Sequence, residues 1–182
     1  MYVVASPFSG WENFYVIVGS AAAGLIGLMF VAITVIAGAR DSRSERAIAT
    51  FGTPTLIHFG MALSSAALLS VPWPALWMVS LVLGVMGLGG VGYTAVVLWR
   101  SREPIDYQPV LEDWIWYRFL PVIAYTTIVI AAALLVGHAV VSLFIFGAVM
   151  LLLLFAGIHN AWDIVTYVAI TLPNQHSDVP TN

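Results

Sequence analysis

The sequence contains no cysteine, and all six of its basic residues are arginines, so it contains no lysine either. The first absence excludes disulfides, thiol nucleophiles and cysteine-bound iron–sulfur clusters. The second excludes a Schiff-base lysine and the lysine of a phosphate-binding loop. Charged residues of both signs make up only 8% of the 182 residues, against about a quarter in soluble domains. We therefore expect neither a soluble protein nor one that binds nucleic acid through phosphate contacts.

What the sequence has instead is apolar residues, which make up 61% of the chain. A helix needs about 20 mostly apolar residues to cross the hydrocarbon of a bilayer. Five segments meet this requirement: residues 13–39, 54–71, 74–99, 119–136 and 139–165. The sequence thus predicts an all-α integral membrane protein, with one five-helix transmembrane domain over residues 1–171 and a disordered cytoplasmic tail over 172–182.

The arginines predict the orientation of these spans. Three fall between the first and second spans and three between the third and fourth, at positions 40, 43, 46, 100, 102 and 118. Because arginine and lysine concentrate in cytoplasmic loops, this pattern predicts an external N-terminus and a cytoplasmic C-terminus. Basic residues that are all arginine, together with abundant alanine, valine and glycine, favour a GC-rich bacterial source, so we expect a multi-pass protein of the bacterial inner membrane.

The first span carries small residues that suit close helix packing. The set consists of Gly19, Ser20, Ala23, Gly24 and Gly27. Small residues four positions apart let the backbone of a second helix approach closely. We predict that they pack within the chain, which would make the first span an interior helix. Contact with another subunit is the alternative.

Ionisable groups within predicted spans are candidates for function. His159 and Asp163 are four residues apart on the fifth span, so they share a helical face and can hydrogen-bond. With the neighbouring Asn160 they could hold an imidazole for proton transfer or supply ligands to a divalent cation. Arg118 opens the fourth span at a similar depth. The structural alternative is an anchor in which Asp163 pairs with an arginine.

His58 lies within the second span and has no acidic residue in its own helix. The fifth span is expected to run to the same depth, so His58 and His159 could face each other. Two histidines on facing helices could bind haem or a metal, or form a proton relay. We predict no cofactor from this pattern, and haem or a divalent metal is the alternative.

Carboxylates are absent between residues 13 and 40, 46 and 102, and 114 and 162. Ion-coupled transporters often hold their ions on carboxylates near the midplane, so this pattern disfavours that class. We find no nucleophile–base motif that would indicate a hydrolase. We predict a homo-oligomer in the lipid bilayer that forms a small ion channel or pore. The alternatives are a membrane metal or haem protein that uses His58, His159 and Asp163, and an accessory subunit of a larger complex.

Overall fold

The computed structural model describes residues 7–38, 52–100 and 115–171. Within these ranges the chain forms helices and no strand. The helices are α1 (Glu12–Gly38), α2 (Thr53–Ser70), α3 (Leu76–Arg100), α4 (Leu120–Leu134) and α5 (Ala139–Thr171). A π-helical turn, Ile115–Phe119, leads directly into α4.

The five helices coincide with the five predicted spans, although α5 continues to Thr171 instead of ending at 165. Four stretches are long and apolar enough to cross a membrane: Glu12–Val35, Leu76–Trp99, Ile115–Leu134 and Ala139–Thr166. The α2 helix has 18 residues and is not in this group. These features are compatible with a multi-pass membrane protein. The predicted tail over 172–182 lies outside the described residues.

Contacts between helices establish their relative directions. Ser80, near the start of α3, donates to the carbonyl of Ala132, near the end of α4, over 2.6 Å. Gly90, further along α3, lies against Tyr125, which comes earlier in α4. The α3 and α4 helices are therefore antiparallel, and short turns reverse the chain between α2 and α3 and between α4 and α5. We call the end of the bundle where α3 and α5 finish and α4 begins the arginine end, because Arg100 and Arg118 lie there.

The α1 helix runs parallel to α5. The rings of Trp11 and Phe144, near the starts of the two helices, lie 4.7 Å apart, and Met29 and Val165 line a common cleft near their far ends. This cleft has a volume of about 250 Å³ and a lining of apolar residues and the Trp162 ring. None of the histidines or carboxylates in the described ranges lines it.

The α1 helix lies at the periphery of the bundle, so the prediction that it is an interior helix is wrong. It packs on α2 and α5, whereas α2, α5, α4 and α3 contact one another in a ring.

Glycines bring α3 close to α4: a Cβ atom added at Gly87 would lie 2.9 Å from the Ile128 side chain, and one added at Gly90 would lie 2.5 Å from the Tyr125 ring. The core therefore centres on α2, α4 and α5, and two of these helices carry the predicted polar site residues.

Candidate functional site

A histidine–tyrosine pair lies in the interior of the bundle. Nδ1 of His58 on α2 is 2.7 Å from Oη of Tyr125 on α4, a hydrogen bond whose donor depends on the imidazole tautomer. The two residues are only 2% and 0% exposed. Gly90 makes room for the Tyr125 ring, because a Cβ atom there would overlap it. His58 therefore has a fixed partner across the ring of helices. Residue order alone does not indicate that this partner is Tyr125.

A second polar cluster lies at the arginine end, between α5 and the π-helical turn. Tyr117 donates its hydroxyl to Oδ2 of Asp163 over 2.8 Å. Nδ1 of His159 is 3.3 Å from the same oxygen, which confirms that the pair shares one helical face. The indole of Trp116 stacks on the His159 ring, with centroids 4.1 Å apart and planes 7° from parallel. The His159 and Asp163 side chains are 26% and 42% exposed, so this cluster borders the surface.

Local backbone chemistry explains why the aromatic partners come from the start of α4. Pro121 has no amide hydrogen and cannot donate to the carbonyl of Tyr117, four residues earlier. The chain enters α4 through a π-helical turn, a distortion that is frequent at functional sites. Sequence reasoning proposed an arginine such as Arg118 as the partner of Asp163. The described structure gives this carboxylate Tyr117 and His159 instead, and Arg118 is half-buried on the same turn.

The two histidines are not brought together. Gly157 faces α2, since a Cβ atom there would overlap the Phe59 ring. His159 is two residues further along, about 200° around the helix, and therefore points away from α2. Among residues 7–38, 52–100 and 115–171, no group of three or more histidine and acidic side chains could hold a metal ion. The imidazole of His58 is enclosed by protein.

Asn160 is the most unusual residue of this region. It is 0% exposed, and neither Nδ2 nor Oδ1 of its amide has a hydrogen-bond partner in the described part of the chain. Buried polar groups are nearly always hydrogen-bonded. The sequence indicated Asn160 as a polar-site candidate beside the His159–Asp163 pair, but burial and missing partners cannot be read from residue order.

The small residues of α1 divide between two faces. Gly19 packs within the chain, since a Cβ atom there would lie 3.3 Å from Cβ of Ala66. Ser20, Ala23, Gly24 and Gly27 are exposed, and a Cβ atom at either of these two glycines would meet nothing within 4 Å. Within the described structure Gly19 therefore packs against α2, whereas the other four residues stay exposed. Contact of these residues with another subunit stays a prediction.

The outermost line of α1 has a regular pattern. Four polar or small residues recur at intervals of seven and are all exposed: Asn13, Ser20, Gly27 and Thr34. At 100° per residue, Val16, Gly24 and Val31 fall within the same band about 80° wide, on the side of the helix opposite the buried Ala22. We call these seven residues the α1 ridge.

Comparison with known proteins identifies no relative: no protein-family model, curated protein or solved structure matches this chain.

Proposed function

We propose that this chain is a multi-pass protein of the bacterial inner membrane that assembles as a homo-oligomer along the α1 ridge and forms a small pore between its copies. The observation that carries the proposal is the α1 ridge itself. Asn13, Ser20 and Thr34 are exposed there, on the face of α1 that no other described helix covers.

The chemistry of the ridge supports a helix as its neighbour. Small residues allow close approach, and hydroxyl and amide groups can hydrogen-bond between helices. An interval of seven residues is the repeat with which two helices supercoil in a left-handed coiled coil. From Asn13 to Thr34 the ridge is about 31 Å long, close to the roughly 30 Å thickness of the hydrocarbon. Copies could therefore associate along the whole membrane depth, and three or more ridges that converge in a ring would surround a path.

The distribution of polar groups supports a path between copies rather than through one chain. The interior polar residues His58, Ser65 and Asn160 are buried, and the cleft beside α1 is apolar. Hydroxyl and amide groups on the ridge carry no charge. A path that they line would pass water or small ions without selecting strongly for the sign of the charge.

The orientation in this proposal follows from the arginines. Arg100 and Arg118 lie at one end of the bundle, and the other four occur in the connections between α1 and α2 and between α3 and α4. The positive-inside rule assigns that end to the cytoplasm. The start of α1 then lies outside and the end of α5 inside. A cysteine accessibility assay with a membrane-impermeant reagent tests this orientation.

The absence of native cysteine makes disulfide cross-linking a clean test of the assembly. We expect S20C and G27C to form cross-linked dimers in native membranes. The matched control is A21C, which is also exposed but lies about 100° around the helix from Ser20. A second control is L81C, on the exposed face of α3. Equal cross-linking of S20C and A21C would contradict pairing along the ridge.

The pore is tested separately from the assembly. Purified S20C protein in liposomes should conduct water or small ions, and a bulky thiol reagent should block that flux. The same reagent should leave the flux of L81C unchanged. Cross-linked dimers without measurable flux would retain the assembly and rule out the pore. An accessory subunit would then be the better interpretation, and a larger complex should co-purify.

A further inference from the structure

The buried amide of Asn160 points to an occupant inside the bundle. Nδ2 offers donors and Oδ1 an acceptor, and none of them is bonded within the described structure. The side chain is fully enclosed by its own chain, so neither lipid nor a second copy can reach it. Because unpaired polar groups in a low-dielectric interior are strongly unfavourable, the occupant must be small and able both to donate and to accept.

The direction of Asn160 follows from its two neighbours on α5. Gly157 faces α2 at Phe59, and Asp163 faces the π-helical turn at Tyr117. Each of these residues is three positions from Asn160, which places Asn160 about 60° from both around the helix. The amide therefore projects into the junction where α2, α5 and the start of α4 meet.

The depth of Asn160 falls between the two hydrogen-bonded pairs. Asp163, which accepts from Tyr117, is about 4.5 Å nearer the arginine end. Gly157 is about 4.5 Å from Asn160 in the opposite direction. The Phe59 ring lies against Gly157, and His58 is the residue before Phe59. Three polar levels thus follow one another at intervals of less than one helical turn. We call them the polar ladder: the Tyr117–Asp163 pair, Asn160, and the His58–Tyr125 pair.

We propose that a buried water molecule binds Asn160 and completes the polar ladder, so that protons can pass between the surface cluster at Asp163 and the enclosed imidazole of His58. Asn160 makes no direct hydrogen bond to either neighbouring pair, whereas one water spans about 5.5 Å with two bonds. Buried waters typically have two to four polar partners. Asn160 supplies both kinds of partner and no charge, which suits water better than an ion.

The transfer is balanced along the ladder. A proton passes from the Asp163 carboxyl through the bound water to the His58 imidazole, and a proton of the imidazole returns by the same path. The Asn160 amide only holds the water by hydrogen bonds and neither gains nor loses a proton, so the bonds that break and form are O–H bonds of carboxyl and water and N–H bonds of the imidazole. His159, 3.3 Å from Asp163 and 26% exposed, connects the ladder to solvent. This inference does not depend on pairing along the α1 ridge, since all members of the ladder belong to one chain.

The test replaces Asn160 by leucine, which is similar in size and apolar. If the amide were merely unpaired, N160L would be as stable as the natural protein or more stable, because it removes an unsatisfied group. If the amide holds a bonded water, N160L loses those bonds, and the ratio of folded to unfolded protein should fall roughly 5- to 30-fold. Equilibrium unfolding in detergent measures this ratio.

The second measurement is hydrogen–deuterium exchange of the His58 ring, followed by NMR with ¹⁵N-labelled histidine and assigned through the loss of its signal in H58Q. We expect N160L to slow this exchange several-fold. The control is S65A. It removes a buried hydroxyl of α2 that, like the Asn160 amide, has no partner in the described structure. Ser65 lies outside the ladder, so S65A should leave the exchange unchanged. Exchange in N160L at the natural rate, or undiminished stability, would overturn the proposal.

A further pair of variants applies if N160L does not fold. N160S keeps one group that can bond a water, and N160A keeps none. We expect faster exchange of His58 in N160S than in N160A. Equal rates in the two variants would overturn the proposal as well.

Discussion

Replacing Tyr125 by phenylalanine would remove a single oxygen atom from the interior of the bundle. The shape of the ring and its fit against Gly90 would be kept, so the packing between α3 and α4 should not change. The hydrogen bond of 2.7 Å to Nδ1 of His58 would be lost. Because His58 is only 2% exposed, bulk solvent cannot replace the missing partner.

The magnitude follows from this burial. A buried group left without its partner costs about 1–3 kcal/mol in soluble proteins, and hydrogen bonds between membrane helices average about 0.6 kcal/mol with a maximum near 1.7. We therefore expect Y125F to lower the free energy of unfolding by about 1–2 kcal/mol. The double variant H58L/Y125F removes both partners, so its loss should be smaller than the sum of the single losses.

The measurement is equilibrium unfolding in mixed detergent micelles. The matched control is Y15F, since Tyr15 is also buried, at 1% exposure, but its hydroxyl has no partner in the described structure. Y15F should lower the stability less than Y125F, because it removes no hydrogen bond between two helices of the described structure. If Y125F and Y15F unfold alike, the His58–Tyr125 bond does not contribute to stability and the reasoning from burial is refuted.

Three further substitutions test the packing and the remaining hydrogen bonds. G90A should lower the free energy of unfolding by about 1–3 kcal/mol through overpacking, because its Cβ would lie 2.5 Å from the Tyr125 ring; G89A, with nothing within 4 Å, is the control and should not destabilise. Y117F should cost less than about 1 kcal/mol, because Asp163 is 42% exposed and water can replace the lost donor. S142A, which removes a buried bond of 2.6 Å to the carbonyl of Ala131, should cost about 0.5–1.5 kcal/mol. The same unfolding assay measures all three, and a larger loss in Y117F than in Y125F would contradict the role assigned to burial.

The sequence predicted part of the candidate site. The spacing of His159 and Asp163 was sufficient to place both on one face of α5, because a helix repeats every 3.6 residues. Their aromatic partners could not be predicted in the same way. Trp116 and Tyr117 reach α5 only through the π-helical turn before Pro121, and such a turn has no periodic signal in the sequence. The prediction that His58 and His159 could face each other was wrong, because depth alone does not determine the direction of a side chain.

The first span shows the same distinction. Its small residues indicated close helix packing, and the sequence could not determine whether the partner lies inside the chain. The structure divides them, with Gly19 against Ala66 and Gly24 and Gly27 facing outwards. Apart from Asn13, Ser20 and Thr34, both faces of α1 are apolar or small, so the hydrophobic pattern distinguishes the buried face from the exposed one only weakly. Only the positions of α2 and α5 decide which face is covered.

The sequence by itself determined that the chain is helical, where its helices lie, and which connections carry the arginines. These properties follow from apolar stretches of about 20 residues and from the positions of the few charges, both of which can be read locally along the chain. The tertiary structure alone decided that α1 is peripheral, that Tyr125 is the partner of His58, and that Asn160 is buried without one. Those facts depend on how helices distant in sequence pack against one another, and in so apolar a chain the contrast between polar and apolar faces is too weak to specify that packing.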